Sequence, residues 1–492
     1  MLDQVNVEDA IVAHREGRLQ EAVRQYRQIL GDTPQHPDVL HLLGVALGQL
    51  KEFDESVLVL ARAIEIRPQD PLMRVHHGNA LWGLGRGEQA LESYDRALLL
   101  DPRSFEAHCN RGKVLNETDH PEEAIESFNK AVELAPQSAD AYNNRGSAFA
   151  ALGRNAEALE SYDRALAINP ELAEVCWNKS LVLLRAGRFC DGWDLHTACP
   201  QYLSPNAVRR FPAKPAWNGR ESLAGKTIFL YADQGYGDVI QYCRYVPLLR
   251  RRGARVVVEV PKPLQSLIRS LDGVDEFTMP STPGPPYDCH CPFSNLPGAF
   301  RADLNTIPRE IPYLGGDAQS MQCWAQRLGP ARALRAGLVW SGNASHRQDR
   351  NRSIPLAAFS TLKETGFEFV SLQTEVRESD LQSLSTVCAW HFGADLKDFS
   401  DTAAVISQLD VVISVDSAVA HLAGALGARI WVLLPSVPDW RWMLGREDSP
   451  WYPTARLFRQ SVRARWDGPI DAVRQELHAM ASGRRHEEKF VD

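Results

Sequence analysis

Residues 105–138, FEAHCNRGKVLNETDHPEEAIESFNKAVELAPQS, and residues 139–172, ADAYNNRGSAFAALGRNAEALESYDRALAINPEL, superimpose without a gap over 34 positions. Gly112 falls on Gly146, Ala124 on Ala158, Phe128 on Tyr162, Ala131 on Ala165 and Pro136 on Pro170. The step extends outward from this pair. Glycines recur at Gly44 and Gly78, prolines at Pro34, Pro68 and Pro102, and alanines at Ala63 and Ala97. A second small-residue register runs through Ala22, Ser56 and Ala90, and Tyr26 and Tyr94 continue the aromatic one. Self-similarity held in five registers at once marks a repeat architecture.

The chemistry of each register predicts helix–turn–helix units. Small residues let the two helices of a repeat approach closely. The aromatics are expected to plug the gap between neighbouring repeats. Proline lacks an N–H and clashes with the preceding turn, so it ends the second helix. A 34-residue period with this punctuation resembles the tetratricopeptide (TPR) repeat. One such unit cannot bury its apolar face alone, so the repeats are expected to stack into an all-α superhelix with a concave groove. Five repeats cover about residues 3–172, and a sixth begins at Ala173, keeps its first helix through Ala186 and loses register at Gly192. Residues 1–186 therefore read as the array and 187–222 as a joint or linker. Two positions before each glycine stand Leu42, His76, Asn110 and Asn144, with Asn178 in the partial repeat. A carboxamide donates and accepts at once, so Asn110, Asn144 and Asn178 form a candidate ladder for the backbone of an extended peptide. The plainer alternative is asparagine tolerated on an exposed helix face.

At 492 residues the chain exceeds what one core supports, and two or three domains are expected. A net charge of -8 argues against nucleic acid as the main ligand. The start, MLDQVNVEDA, lacks the charged-then-apolar order of a signal peptide. The most apolar stretch, 411–435, is interrupted by Asp416, His421 and Arg429, so no membrane span is expected, while peripheral association stays open. Nine cysteines, an odd count without a C-x-x-C pair, suggest a reducing compartment and a cytoplasmic protein. Cys289-His290-Cys291 resembles half a metal site without a partner pair at zinc spacing, so buried thiols are expected and no metal is assigned.

From about Thr227 the pattern changes. TIFLYA (227–232) and RVVVEV (255–260), with a helix around 264–271, precede a Pro-rich loop, PSTPGPPYD (280–288). A second series comprises AGLVW (336–340), FEFVSLQ (367–373), VVISVD (411–416) and RIWVLLP (429–435). Strands alternating with helices imply parallel sheets. Two series, split near 329–335, imply two Rossmann-like domains facing a cleft, with ligands at the carboxyl ends of the strands. Three loops there carry candidate chemistry. In DQGYGD (233–238), Gly235 and Gly237 let a backbone approach a ligand, and Asp238 is either a functional carboxylate or a helix cap. The loop 341–353 gathers Asn343, His346, Arg347, Arg350 and Arg352 against Asp349, which suits a phosphate, though such a run is also often simply solvated. In DSAVAH (416–421), where a strand turns into a helix, the exposed N–H groups and the positive dipole end form an anion site. His421 there is either a ligand or a satisfied helix histidine.

Gly237-Asp238-Val239-Ile240, followed by YVPLL (245–249), resembles the opening of the heptosyltransferase-type glycosyltransferases, family 9. Asp416-Ser417-x-x-x-His421-Leu422 is similar to their second signature, and Arg352 stands where they carry a basic residue. The resemblance covers about residues 223–465. It implies a GT-B fold, with 223–330 as the acceptor-side domain, 331–470 as the nucleotide-sugar domain and 471–492 as a terminal helix and tail. It further implies an inverting glycosyltransferase using a nucleotide-sugar as donor substrate and no cofactor or metal. Asp238 would be the general base. Arg352 and the N–H groups of Ser417 and Ala418 would meet the diphosphate. The array would bind the acceptor, a protein or a peptide. Two further readings stay open. One is a protein O-GlcNAc transferase-like enzyme (family 41), whose own histidine–proline and N-G-H-T-T-like motifs are not visible. The other is a TPR adaptor with an inactive transferase domain.

Overall fold

The computed structural model describes residues 7–198, 214–279, 286–346 and 349–483. Arg347, the core of the Pro-rich loop (280–285), the linker segment 199–213 and the tail from 484 lie outside the described residues. The chain divides into two compact units, with the division between Asn178 and Lys179.

The first unit is all helix: α1 (Val7–Arg15), α2 (Leu19–Asp32), α3 (Pro37–Gln49), α4 (Phe53–Ile66), α5 (Pro71–Gly83), α6 (Gly87–Leu100), α7 (Phe105–Glu117), α8 (Pro121–Leu134), α9 (Ala139–Ala151), α10 (Asn155–Ile168) and the start of α11 (Ala173–Arg185). Each second helix stops two residues before its register proline, because the residue ahead of proline is driven out of the helical region; Arg67 sits at φ -127°, ψ 76°. Both alanine registers are fully buried. The aromatic register packs inside its own repeat as well as toward the next. A Cβ on Gly78, Gly112 or Gly146 would lie 2.6–2.7 Å from Tyr94, Phe128 or Tyr162, the aromatic of the same repeat, so the ring fills the space the glycine leaves in its helix pair. Tyr94 also clusters with Ala107 and Val114 of the following repeat.

The second unit begins within α11 and includes α12 (Phe189–Thr197). The stretch expected to be a linker is therefore helical at its start, and its Phe189 and Trp193 belong to the hydrophobic core of this unit. Two parallel sheets follow. The first, β1 (Thr227–Tyr231), β2 (Arg255–Glu259), β3 (Glu276–Thr278) and β4 (Cys289–Pro292), has the order β3-β2-β1-β4. The second, β5 (Arg335–Val339), β6 (Glu368–Ser371), β7 (Trp390–His391), β8 (Val411–Val415), β9 (Ile430–Leu434) and β10 (Ala455–Arg459), has the order β10-β9-β8-β5-β6-β7.

Period-two alternation distributes the strand residues of the second sheet. Val412, Ile430, Val432 and Leu434 face one apolar cluster, while Val411, Ile413, Trp431 and Leu433 face another. Both faces are covered, as parallel sheets require. The first cluster runs on into the first sheet through Ile228, Leu230, Val256 and Val258. Arg244 ties the two sheets together: it donates to the carbonyls of Gln241, Pro308 and Trp451 and lies over the rings of Tyr313 and Tyr452. No helix among the described residues is long and apolar enough to cross a membrane.

Candidate functional site

In open parallel sheets, ligands sit where the strand order reverses, at the carboxyl ends of the two strands flanking that point. In the first sheet this point lies between β1 and β4, and in the second between β8 and β5. The loop 233–238 follows β1, the arginine loop follows β5 and Asp416 follows β8. All three loops singled out in the sequence therefore leave strands at reversal points.

After β1 the chain turns through Gly235, the N-cap of α13 (Tyr236–Tyr242), and Asp238 lies in its first turn. The Asp238 Oδ1 accepts from Arg441. Arg441 also donates to Gln241 Oε1 (3.0 Å) and to Asp439 Oδ1 (2.7 Å), and its guanidinium lies 4.6 Å from the Trp440 ring. Asp233, two residues past β1, accepts from the hydroxyl of Ser294, which follows β4. Burial, reinforced by Asp238, raises its carboxyl to about 7.

α14 (Ala418–Ala425) follows β8 and packs against α13. Ser417 is its N-cap: the hydroxyl accepts from Ala420 N–H and meets Ser414 Oγ at 2.9 Å. Ala418 opens the helix, half-buried. A Cβ on Gly237 would lie 2.8 Å from His421 Cδ2, so the glycine is what lets α13 and α14 meet. His421 is buried, with Nδ1 2.9 Å from Tyr452 Oη and its ring stacked on Trp442. Burial and Arg441 hold it down to about 3, so it is neutral. Burial and Asp439 raise Asp416 to about 6. Burial opposes ionisation of Asp439, yet Arg441 keeps it below the ordinary carboxylate value.

After β5, Gly342 passes under Arg352; a Cβ there would lie 2.7 Å from its guanidinium. Arg352 Nη1 donates to the Asp416 carbonyl (3.0 Å), which joins the arginine loop to the start of α14. Asp349 is engaged by Arg377 and by the Ser353 hydroxyl. Asn343 is exposed and closes a turn by accepting from Ser345 N–H at 2.9 Å. Arg350 and His346 are exposed. In the first unit Asn110 donates to Asn79 (2.9 Å) and Asn178 to Asn143 (3.1 Å), so asparagines pair from repeat to repeat; Asn144 is half-buried between them. In the same series His76 meets His41, 2.6 Å between ring nitrogens.

Sequence reasoning missed Arg441 and gave Asp233 no role. The signal for Arg441 was present: Asp439-Trp440-Arg441-Trp442 follows the strand stretch RIWVLLP (429–435) after only three residues, Ser436-Val437-Pro438. Cys289 and Cys291 lie in β4, buried, their thiols raised by burial.

Tetratricopeptide repeat profiles match residues 13–74, 76–139 and 117–173. The first unit is thus built of TPR repeats. Among curated proteins the chain is similar to Protein FlbA of Caulobacter vibrioides, 25% identical over 337 residues, covering 62% of this chain and 54% of that protein. The chain therefore spans about half the length of this relative. Among solved structures it is similar to YrrB, a TPR protein with an unusual peptide-binding site (23% identity, TM-score 0.32, covering 36% of this chain and 90% of that one). It is also similar to pilF of Pseudomonas aeruginosa (18% identity, TM-score 0.36, covering 42% and 91%).

Proposed function

We propose that the second unit is an inverting glycosyltransferase of the GT-B type. It would move a sugar from a nucleotide-sugar to a hydroxyl acceptor, and the TPR array would hold that acceptor or a partner protein. The observation that carries the reading is the placement of Asp238 at the reversal point of one sheet and of Arg352 with the α14 start at that of the other. An acceptor hydroxyl loses its proton to a carboxylate as its oxygen attacks the anomeric carbon. Arg441 occupies Asp238 Oδ1, which orients the carboxylate and leaves Oδ2 to take that proton. The bond from the anomeric carbon to the diphosphate breaks on the opposite face. Its growing charge meets the N–H groups of Ser417 and Ala418 and the Arg352 guanidinium, fixed in place before the reaction. This charge stabilisation calls on no metal ion.

A second reading, a TPR adaptor without transfer activity, is favoured by one observation: Asp238 is already ion-paired to Arg441. A panel of sugar nucleotides separates the two. A true donor at about 100 times its dissociation constant stabilises the native state by ~2.7 kcal/mol, read as a raised melting temperature, and is slowly hydrolysed. Absence of both effects across the panel defeats the transferase reading. A protein acceptor, as in the family 41 enzymes, would be recognised by transfer to a peptide held by the array.

A further inference from the structure

Helix α12 carries its buried residues at Phe189, Gly192, Trp193 and His196. That spacing is a single helical stripe, the face that a second TPR helix turns toward its neighbours. In this chain the stripe is covered by the second unit itself. The Trp193 ring meets the Trp440 ring edge-on, centroids 5.3 Å apart at 88°, and its Nε1 donates to the Ala302 carbonyl at 2.9 Å. Thr197 packs on Gly298, where a Cβ would lie 2.7 Å away. Gly187, on the turn before α12, lies beside the Met443 side chain.

Trp440 opens the short turn that presents Arg441. The turn ends on Met443 at φ 55°, ψ -170°, a region kept almost entirely for glycine, so surrounding contacts must hold it there. Arg459 supplies two of them, donating to the carbonyls of Trp442 (2.6 Å) and Met443 (3.0 Å). Trp193 of α12 and Gly187 just before it bear on the turn. The contacts then run without a break: Trp193 to Trp440, Trp440 to the Arg441 guanidinium stacked on it, and Arg441 to Asp238.

We infer that the last helix of the repeat series is a working part of the site, and that Trp193 is a positioning residue which, through Trp440, sets Arg441 and thereby the Asp238 carboxylate. The inference rests on the proposed glycosyl transfer only for its kinetic readout. A misplacement of about 1 Å far from the reacting atoms can cost ~10²-fold in rate.

The test uses the full chain with Trp193→Leu, which keeps an apolar side chain but removes the ring, and Trp193→Phe, which restores a ring; both lose the Nε1 donor to Ala302. Trp193→Leu is expected to lower kcat for donor turnover by about 10- to 100-fold with KM changed less than about twofold, and Trp193→Phe to recover most of it. Equal kcat in all three proteins overturns the inference, as does a Phe variant no better than the Leu variant. Amide hydrogen exchange gives a reading independent of activity. Residues 439–445 and the turn at 235–238 should exchange faster in Trp193→Leu, and unchanged protection there overturns the inference. If Trp193→Leu does not fold, Trp193→Met, a flexible apolar side chain without a ring, takes its place and is read identically. A wild-type chain that turns over no sugar nucleotide defeats the transferase reading alone, and hydrogen exchange still decides the inference.

Discussion

The two units differ in how far apart in sequence their decisive contacts lie. In the array, Tyr94 lies against Gly78 and Tyr162 against Gly146, sixteen residues away within one helix pair. In the second unit Asp238 meets Arg441 across 203 residues, and Arg244 meets Trp451 across 207. Repetition writes packing into local spacing, because each repeat must supply a surface that fits the next. A site between two sheets carries no such record. Its partners leave different strands and meet only when the strand order brings them together.

The sharpest way to break this comparison is Asp238→Asn. If the long-range pair is the chemical centre, transfer should fall by ~10²–10⁴-fold while donor affinity is kept. Near-normal turnover would reduce Asp238 to a structural tie between the sheets, and the second unit would then be no more chemical than the first.

That difference also explains what was legible. The array could be read helix by helix through its fifth repeat. Beyond it Ser180 and His196 hold the glycine and aromatic positions one step past Gly146 and Tyr162, but neither matches the earlier residue type, so the register is hidden there. In the second unit, strands rich in Val, Ile and Leu were plain, but β4, made of Cys-His-Cys-Pro, and the two-residue β7 have no β signal of their own. Loops at strand ends were found because glycine and charge mark them. Arg441 was not, since its role depends on Gln241 and Asp238 of a helix 200 and 203 residues earlier in the chain.

Acid should separate the units next. Burial, with His76, holds His41 down to about 4, and burial lowers His76 and His77 as well. Unfolded histidines take a proton near 6.5, so the array's stability is full above that pH and declines as pH falls below it. The second unit has the same liability at His196 and His421, both near 3, and at His290, His346 and His391, which burial also lowers. It also holds Asp233 at about 7 and Asp416 at about 6, which bind protons in the native state that the unfolded chain lacks until below 4. Between pH 7 and 5 these carboxyls offset part of the histidine liability. Asp233→Asn removes that proton uptake, so hydrogen exchange under mild denaturant should show the second unit losing more protection between pH 7 and 5 in the variant than in the parent, with the array unchanged. Equal loss in parent and variant would contradict this account.

Glycine substitutions sharpen the contrast at smaller amplitude. Gly146→Ala pushes a methyl to within 2.6 Å of Tyr162, and Gly237→Ala to within 2.8 Å of a His421 ring pinned by Tyr452 and Trp442. Overpacking costs ~1–3 kcal/mol at either place. Position 146, in the interior of its helix, recovers up to ~1 kcal/mol from helix propensity, more than position 237 in the first turn of α13. Urea melts should therefore show the Gly237 variant as the less stable. Donor turnover should fall for Gly237→Ala and stay at the parent value for Gly146→Ala. A fall in both would mean that array packing reaches the site.

The smallest effect belongs to the asparagines, and it tests whether the array has a ligand at all. Asn110 and Asn178 each spend one amide N–H on the asparagine of the preceding repeat, leaving a second N–H and the carbonyl oxygen for something else. Changing Asn110, Asn144 and Asn178 together to alanine leaves every glycine, alanine and aromatic register in place. It removes two inter-repeat hydrogen bonds, each contributing ~0.5–1.5 kcal/mol net, so the array should melt slightly earlier but still fold. Asn143 is buried and keeps a partner in Glu174, which limits the loss there. If the groove grips an acceptor backbone, transfer to that acceptor should fall several-fold, while donor hydrolysis by the same protein holds at the parent rate. Equal loss of both activities would mean that the repeats support the fold of the second unit. Transfer unchanged beside the expected loss of stability would mean that the asparagines bind only one another, and that the ladder is part of the packing between repeats.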